Sequence, residues 1–229
     1  MPHQFDLVVF DLDGTLCDTA PDIGRCLNQA MEDFGLPPVP REKLLKAIGP
    51  GGTAFHRAIV PNEEALPLAE KIVDRYRSYY VTSNTVLTRP FPGIIEMLDD
   101  LRATGLTMAV ASNKPQEQTR QIVRGLGLMP YFAEVVGPEA VPRPKPEPDV
   151  LHFLIERVGR GCPPGRTAMV GDTDNDMSAG RAAGVRTVFV TWGYMSESEI
   201  APGSIDIVVS SPKELVAVLT ESRQKAEAK

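Results

Sequence analysis

Acidic residues follow two short apolar runs that lie far apart in the chain. Asp11 and Asp13 follow a run near the start, and Asp172 and Asp176 follow a run in the second half. Carboxylates that crowd together disfavour one another's ionisation, so such a cluster needs protons or a cation. Oxygen ligands with no histidine or cysteine nearby favour Mg²⁺ over Zn²⁺. If these acids meet in the fold, they predict a magnesium site.

Polar residues of another kind follow two further apolar runs. Ser112 and Asn113 come after one of them, and Lys145 comes from a proline-rich loop after the next. The lysine ammonium and the serine hydroxyl are suited to hold phosphate oxygens. The Asn113 backbone N–H lies just before a predicted helix start at Pro115, where amides favour an anion. These residues predict a phosphate site beside the acids.

The apolar runs themselves are short, continuous and rich in β-branched residues, as is typical of strands buried on both faces. They occur at 7–10, 107–111, 135–136, 168–170, 187–190 and 207–209. Helical periodicity separates most of them, which predicts an α/β fold with a doubly wound, Rossmann-like parallel sheet. Ligands bind such sheets beyond the carboxyl ends of the strands. The acids, Ser112 and Lys145 are therefore predicted to meet at one edge.

One long segment interrupts this alternation. From 19 to 82 the periodicity predicts four helices and no strand. We expect an inserted α-helical cap domain over 18–88 and a catalytic core formed by 1–17 and 89–229. Within the cap, Gly51 and Gly52 form a turn or a loop that faces the substrate, and His56 follows them.

Bulk composition excludes several classes of partner. The 229 residues carry a formal net charge of −6, which gives no electrostatic help in binding nucleic acid or anionic membranes. Three cysteines at irregular spacing indicate neither a disulfide framework nor a zinc site. With no signal peptide and no apolar segment of membrane-spanning length, we expect a cytoplasmic protein. Its oligomeric state stays open between monomer and homodimer.

These residues, in this order, resemble the four motifs of the haloacid dehalogenase superfamily, and within it the phosphoglycolate phosphatases. The resemblance implies that Asp11 attacks phosphorus and that Asp13 protonates the leaving oxygen and then activates water. It also implies a Mg²⁺ ion held by Asp11, the Asp13 backbone carbonyl and Asp172, with Asp176 in or near the shell. Phosphate would be positioned by Thr15, Ser112, Asn113 and Lys145, and the loop containing Gly51, Gly52 and His56 resembles the specificity loop.

The sequence leaves three hypotheses about function open. The first is hydrolysis of a small phosphorylated metabolite, with 2-phosphoglycolate ahead of a nucleotide, a sugar phosphate or pyrophosphate. The second is a phosphomutase of the β-phosphoglucomutase kind, which would share Asp11 and Asp13 but keep water out. The third is a non-catalytic binding module, which we would expect to have lost at least one acid or Lys145.

Overall fold

A computed structural model describes residues 4–49, 52–60 and 62–221. Its strands in chain order are β1 (Leu7–Phe10), β2 (Cys17–Asp18), β3 (Arg89–Pro90), β4 (Thr107–Ala111), β5 (Glu134–Val136), β6 (Thr167–Gly171), β7 (Arg186–Val190) and β8 (Ile207–Val209). Its α-helices are α1 (Ala20–Asp33), α2 (Arg41–Ile48), α3 (Gly52–Ile59), α4 (Ala69–Tyr80), α5 (Ile94–Ala103), α6 (Gln116–Gly125), α7 (Asp149–Arg157), α8 (Asp174–Ala183) and α9 (Pro212–Thr220).

Six of these strands form one sheet in the order β5-β4-β1-β6-β7-β8. Every neighbouring pair in it is parallel, and β1 is central: Val9 pairs with Ala109 on one side and with Met169 on the other. The predicted doubly wound parallel sheet is confirmed. Because β1 and β6 are adjacent, the residues that follow them emerge side by side at the carboxyl edge.

Both faces of the sheet are covered by helices, which explains why β1 is apolar at every position. Successive side chains of a strand point to opposite faces. Leu7 and Val9 pack into an apolar cluster with residues of α7 and α8, whereas Val8 and Phe10 pack into a second cluster with residues of α5 and α9. The sheet is therefore a rigid platform for whatever stands at its edge.

Helices α1 to α4 lie between β2 and β3, as the periodicity predicts. The two-residue strands β2 and β3 pair in antiparallel fashion, with Cys17 opposite Pro90, where the chain leaves the core and returns to it. The sequence gives no sign of this ribbon. The domain limits at 18 and 88 fall beside it and stay a prediction.

A buried carboxylate fastens the two chain segments at this point. Asp22, in the first turn of α1, is fully buried and accepts hydrogen bonds from Leu87 N, Thr88 N and Thr88 Oγ1 at 2.8–2.9 Å. Arg25 donates to its other oxygen at 2.8 Å. Along the described ranges, no helix combines the length and the apolar character needed to cross a membrane.

Candidate active site

Three of the four acids predicted from the sequence come together at the carboxyl edge of β1 and β6. Asp11, Asp172 and Asp176 are buried, and each offers a carboxylate oxygen within 4.8 Å of the others. Asp11 and Asp172 reach this position because they directly follow two paired strands. Asp176 reaches it from the first turn of α8.

Lys145 joins these acids although it lies on a separate loop. Its ammonium donates to Asp11 Oδ1 at 2.9 Å, to Asp176 Oδ1 at 2.6 Å and to the Ala111 carbonyl at 2.7 Å. All three of its N–H groups therefore have an acceptor. The lysine side chain is only 3% exposed, so it is a fixed charge inside the cluster.

Burial and crowding together disturb the ionisation of the cluster. Burial raises the pKa of Asp11 to about 7, with Asp176 and Asp13 pushing in the same direction and Lys145 opposing them. Burial, then the charges of Asp11 and Asp176, raises the pKa of Asp172 well above its ordinary value. If all three buried carboxylates were ionised, their charge would exceed that of the one neighbouring ammonium, so the cluster needs protons or a cation. The donor set, all oxygen, fits a hard divalent cation such as Mg²⁺.

Asp172 is held in place by groups on two neighbouring loops. Thr15 Oγ1 donates to its Oδ1 at 2.8 Å, and the Tyr194 backbone N–H donates to its Oδ2 at 2.7 Å. The family resemblance implies that Thr15 positions phosphate; in this structure its hydroxyl is buried and donates to Asp172. A buried hydroxyl needs a partner, and the carboxylate is the acceptor within reach.

Asp176 both contacts Lys145 and takes part in capping α8, and the sequence alone does not distinguish these two roles. Its Oδ1 contacts Lys145, while its Oδ2 accepts hydrogen bonds from the backbone N–H and the hydroxyl of Thr173, which caps α8. Its neighbour Asp174 accepts a hydrogen bond from Ala201 N at 2.8 Å and takes no part in the cluster.

Asp13 is not one of the three clustered acids, and its carboxylate has other partners. Its Oδ1 accepts a hydrogen bond from Thr19 Oγ1, and its Oδ2 lies 3.1 Å from Lys114 Nζ. Neither Lys114 nor Thr19 is predicted as a site residue from the sequence. The only sequence signal for Lys114 was its position, two residues after Ser112.

Ser112 and Asn113 line a narrow inner pocket beside the acids. Ser112 is buried and its hydroxyl accepts a hydrogen bond from Lys114 N at 3.2 Å, while Asn113 Nδ2 donates to the Lys145 carbonyl at 2.8 Å. Asn175 Nδ2 donates to the Gly49 carbonyl, which ties the helical segment to the core above this pocket. The inner pocket is lined by Asp11, Asp13, Ile48, Gly49, Ser112, Asn113, Lys114, Lys145, Thr173 and Asn175.

An outer cleft of about 240 Å³ continues from the inner pocket and runs beneath the helices. Asp13, Ile48, Asn113 and Lys114 line both spaces. The apolar wall of the outer cleft is formed by Ile23, Ile48, Phe55, Val73 and Tyr76, and its polar lining includes His56, Arg77, Gln118 and Glu139. His56 thus lies where a substrate contact was expected. Gly52 is the first residue of α3, and Gly51 lies outside the described residues.

Tyr194 connects the acid cluster to the start of α1. While its backbone holds Asp172, its hydroxyl accepts hydrogen bonds from Thr19 N at 2.8 Å and Ala20 N at 3.0 Å and donates to Asp18 Oδ1 at 3.0 Å. A sequence pattern cannot reveal this connection because the partners are far apart in the chain.

Comparison with known proteins agrees with this geometry. The model of haloacid dehalogenase-like hydrolases matches residues 8–190, a span that includes both acid pairs and Lys145. The chain belongs to this family. A phosphoglycolate phosphatase of Aquifex aeolicus is 33% identical to it over 213 residues, covering 93% of this chain and 96% of the relative.

Other members of the family are similar over the same extent. An N-acetylmuramic acid 6-phosphate phosphatase of Pseudomonas aeruginosa is 35% identical, and 93% of each chain is covered. A crystal structure of a predicted phosphoglycolate phosphatase from Haemophilus somnus superimposes with a TM-score of 0.83 at 28% identity, covering 94% of this chain and 98% of that one. The prediction of a phosphatase of this family is confirmed.

Proposed function

We propose that this protein hydrolyses a small phosphomonoester with Mg²⁺ as cofactor, through an aspartyl-phosphate on Asp11. The observation that carries the proposal is the contact of Lys145 with both Asp11 and Asp176 inside a cluster of three buried acids. A binding module would have no need to maintain this costly concentration of buried charge.

Asp11 is the nucleophile of the proposed reaction. Its carboxylate forms a bond to phosphorus as the bond from phosphorus to the ester oxygen breaks. Lys145, 2.9 Å away, fixes the orientation of the carboxylate and offsets charge that develops on the phosphoryl oxygens. Ser112 and Asn113 line the inner pocket and position those oxygens.

Asp13 is the general acid and then the general base. It gives a proton to the departing oxygen, and it later takes one from the water that attacks the aspartyl-phosphate. Its position on the shared border of the inner pocket and the outer cleft suits this role, because the departing oxygen must lie there. Thr19 orients the carboxylate through a hydrogen bond.

Mg²⁺ would be held by Asp11, Asp172 and Asp176 together with the Asp13 backbone carbonyl. When bound, it neutralises negative charge on the phosphate and on the acids around it. Thr15 and Tyr194 N keep Asp172 turned toward this position.

The leading substrate is 2-phosphoglycolate, because several relatives at 31–33% identity are phosphoglycolate phosphatases. A sugar phosphate is the second candidate, since one relative at 35% identity acts on N-acetylmuramic acid 6-phosphate. The proposed cap over 18–88 supplies the apolar wall of the outer cleft and would discriminate between them. A phosphomutase would release little free phosphate from either.

The test is phosphate release from a panel of phosphorylated metabolites in the presence of Mg²⁺. We expect wild-type protein to release phosphate and Asp11→Asn to remain folded while losing turnover by roughly a thousandfold or more, since no nucleophile remains. Asp100→Asn, at an exposed position on α5, is the matched control and should behave as wild type. Near wild-type turnover in Asp11→Asn would contradict the proposal.

A further inference from the structure

The outer cleft adjoins the inner pocket and has room for the leaving group of the substrate. The two spaces share Asp13, Ile48, Asn113 and Lys114 among their lining residues. A group attached to a phosphate in the inner pocket can therefore pass between these side chains and lie in the outer cleft. Resting on the function proposed above, this places the ester oxygen next to Asp13.

Lys114 is a buried cation at this border. Its side chain is 7% exposed, and its ammonium lies 3.1 Å from Asp13 Oδ2 and 5.1 Å from the centroid of the Tyr80 ring. An ammonium has three N–H donors. Among the described residues it contacts a single carboxylate oxygen, so it retains donors for a further acceptor.

The other basic side chains of the outer cleft are placed differently. Arg77 is exposed and pairs with Asp74 at 3.4 Å, and His56 lies on α3. Neither contacts Asp13 in the structure. Lys114 is thus the cleft cation that lies against the general acid, and the apolar wall beside it strengthens its attraction for an anion.

We infer that Lys114 recognises a carboxylate on the leaving group, which makes phosphomonoesters of 2-hydroxy acids the preferred substrate class. An ester oxygen that accepts a proton from Asp13 lies within a hydrogen bond of that side chain. In such a substrate, a carboxylate oxygen is only three bonds from the ester oxygen. Lys114 is therefore within reach of it, and the carboxylate supplies the missing acceptor.

The experiment compares 2-phosphoglycolate with ethyl phosphate, in which a methyl group replaces the carboxylate. Wild-type protein should favour 2-phosphoglycolate in kcat/KM by at least about tenfold, as expected for a hydrogen bond to a charged group. In Lys114→Met this preference should fall roughly 10- to 100-fold, mainly through a higher KM for 2-phosphoglycolate. Lys114→Arg should keep most of the preference for 2-phosphoglycolate. Lys213→Met, which replaces an exposed lysine on α9, should keep all of that preference.

Two results would overturn the inference while leaving the proposed function in place. One is a wild-type enzyme that hydrolyses both esters equally well, a measurement that needs no variant. The other is a folded Lys114→Met in which both esters lose rate by the same factor, which would show that Lys114 only positions Asp13. Absence of phosphate release from every ester with Mg²⁺ present would instead remove the proposed function itself.

Discussion

At Gly14 the backbone lies directly against the acid cluster. The residue has φ of +83°, and a Cβ built on it would lie 2.2 Å from Asp172 Oδ2. A side chain at this position therefore meets two obstacles, a left-handed backbone conformation and a carboxylate that has no room to move. Glycine here lets Asp172 approach the loop that carries Asp11 and Asp13.

We expect Gly14→Ala to lower the free energy of unfolding by roughly 2–5 kcal/mol and to reduce turnover, because the methyl group displaces Asp172. Gly105→Ala is a matched control. Gly105 has a similar φ of +79°, but a Cβ there has nothing within 4 Å. Gly105→Ala should lower the free energy of unfolding by only about 1–2 kcal/mol and leave turnover unchanged. Urea denaturation and phosphate release measure both effects, and equal losses in the two variants would count against the account.

At the residue scale, the sequence predicts where the site residues lie better than it predicts which side chains they contact. Asp11, Asp172 and Lys145 could be placed together because each follows a strand, and parallel strands end at a common edge. The hydrogen bond from Thr15 to Asp172 and the contact of Lys114 with Asp13 depend on side-chain rotamers and packing. No residue spacing encodes these two contacts, so they cannot be predicted from the sequence.

At the scale of elements, the joint between α1 and β3 depends on a single carboxylate. Burial alone would raise the pKa of Asp22, but hydrogen bonds from Arg25, Thr88 and Leu87 outweigh burial and hold the pKa below its ordinary value. The folded protein therefore favours the ionised form. Asp22 stabilises the protein fully above the pKa it has in the unfolded chain, and this contribution is lost as pH falls through the lower folded pKa.

Asp22→Asn should therefore lower the free energy of unfolding by roughly 1–3 kcal/mol at pH 7, because an amide leaves buried donors without an acceptor. The difference from wild type should shrink as pH falls below about 4. Asp74→Asn removes an exposed acid that pairs with Arg77, and it should cost less than about 1 kcal/mol. Urea titrations between pH 7 and 3 provide the measurement. A pH-independent difference would contradict the role given to Asp22.

The strands of the main sheet and the helices between β2 and β3 could be predicted, whereas β2 and β3 themselves could not. The six strands of the main sheet contain continuous apolar runs, and helices α1 to α4 show helical periodicity. Strands β2 and β3 have two residues each, and among the described strands they pair only with each other. A two-residue strand has no periodicity, and the pairing of Cys17 with Pro90 joins distant parts of the chain.

At the scale of the whole molecule, the fold brings distant acids together at a cost that a cation would offset. Mg²⁺ that binds only the folded state should raise the melting temperature, by roughly 5–10 °C at a hundredfold excess over its dissociation constant. Asp172→Asn should lose this shift, whereas Asp174→Asn should keep it, since Asp174 binds Ala201 N instead. Chelation should silence phosphate release and Mg²⁺ should restore it. An equal shift in Asp172→Asn would argue against the cluster as the metal site.

The overall architecture could be predicted from the sequence because the patterns that indicate strands and helices repeat along the chain. Alternating apolar runs and helical periods predicted the parallel sheet, and their interruption predicted the helices between β2 and β3. The outer cleft could not be predicted from the sequence, because its apolar wall is formed by residues from three separate helices and the end of a fourth. Its shape depends on how those helices pack.

The central claim is that phosphate passes through Asp11, and trapping the intermediate tests it most directly. The enzyme would be mixed with labelled 2-phosphoglycolate, or with whichever ester it hydrolyses fastest, and quenched in acid within one turnover. Peptide mass spectrometry should then find the label on Asp11, with none in Asp11→Asn. Turnover without label on Asp11, or with label on another residue, would contradict the account.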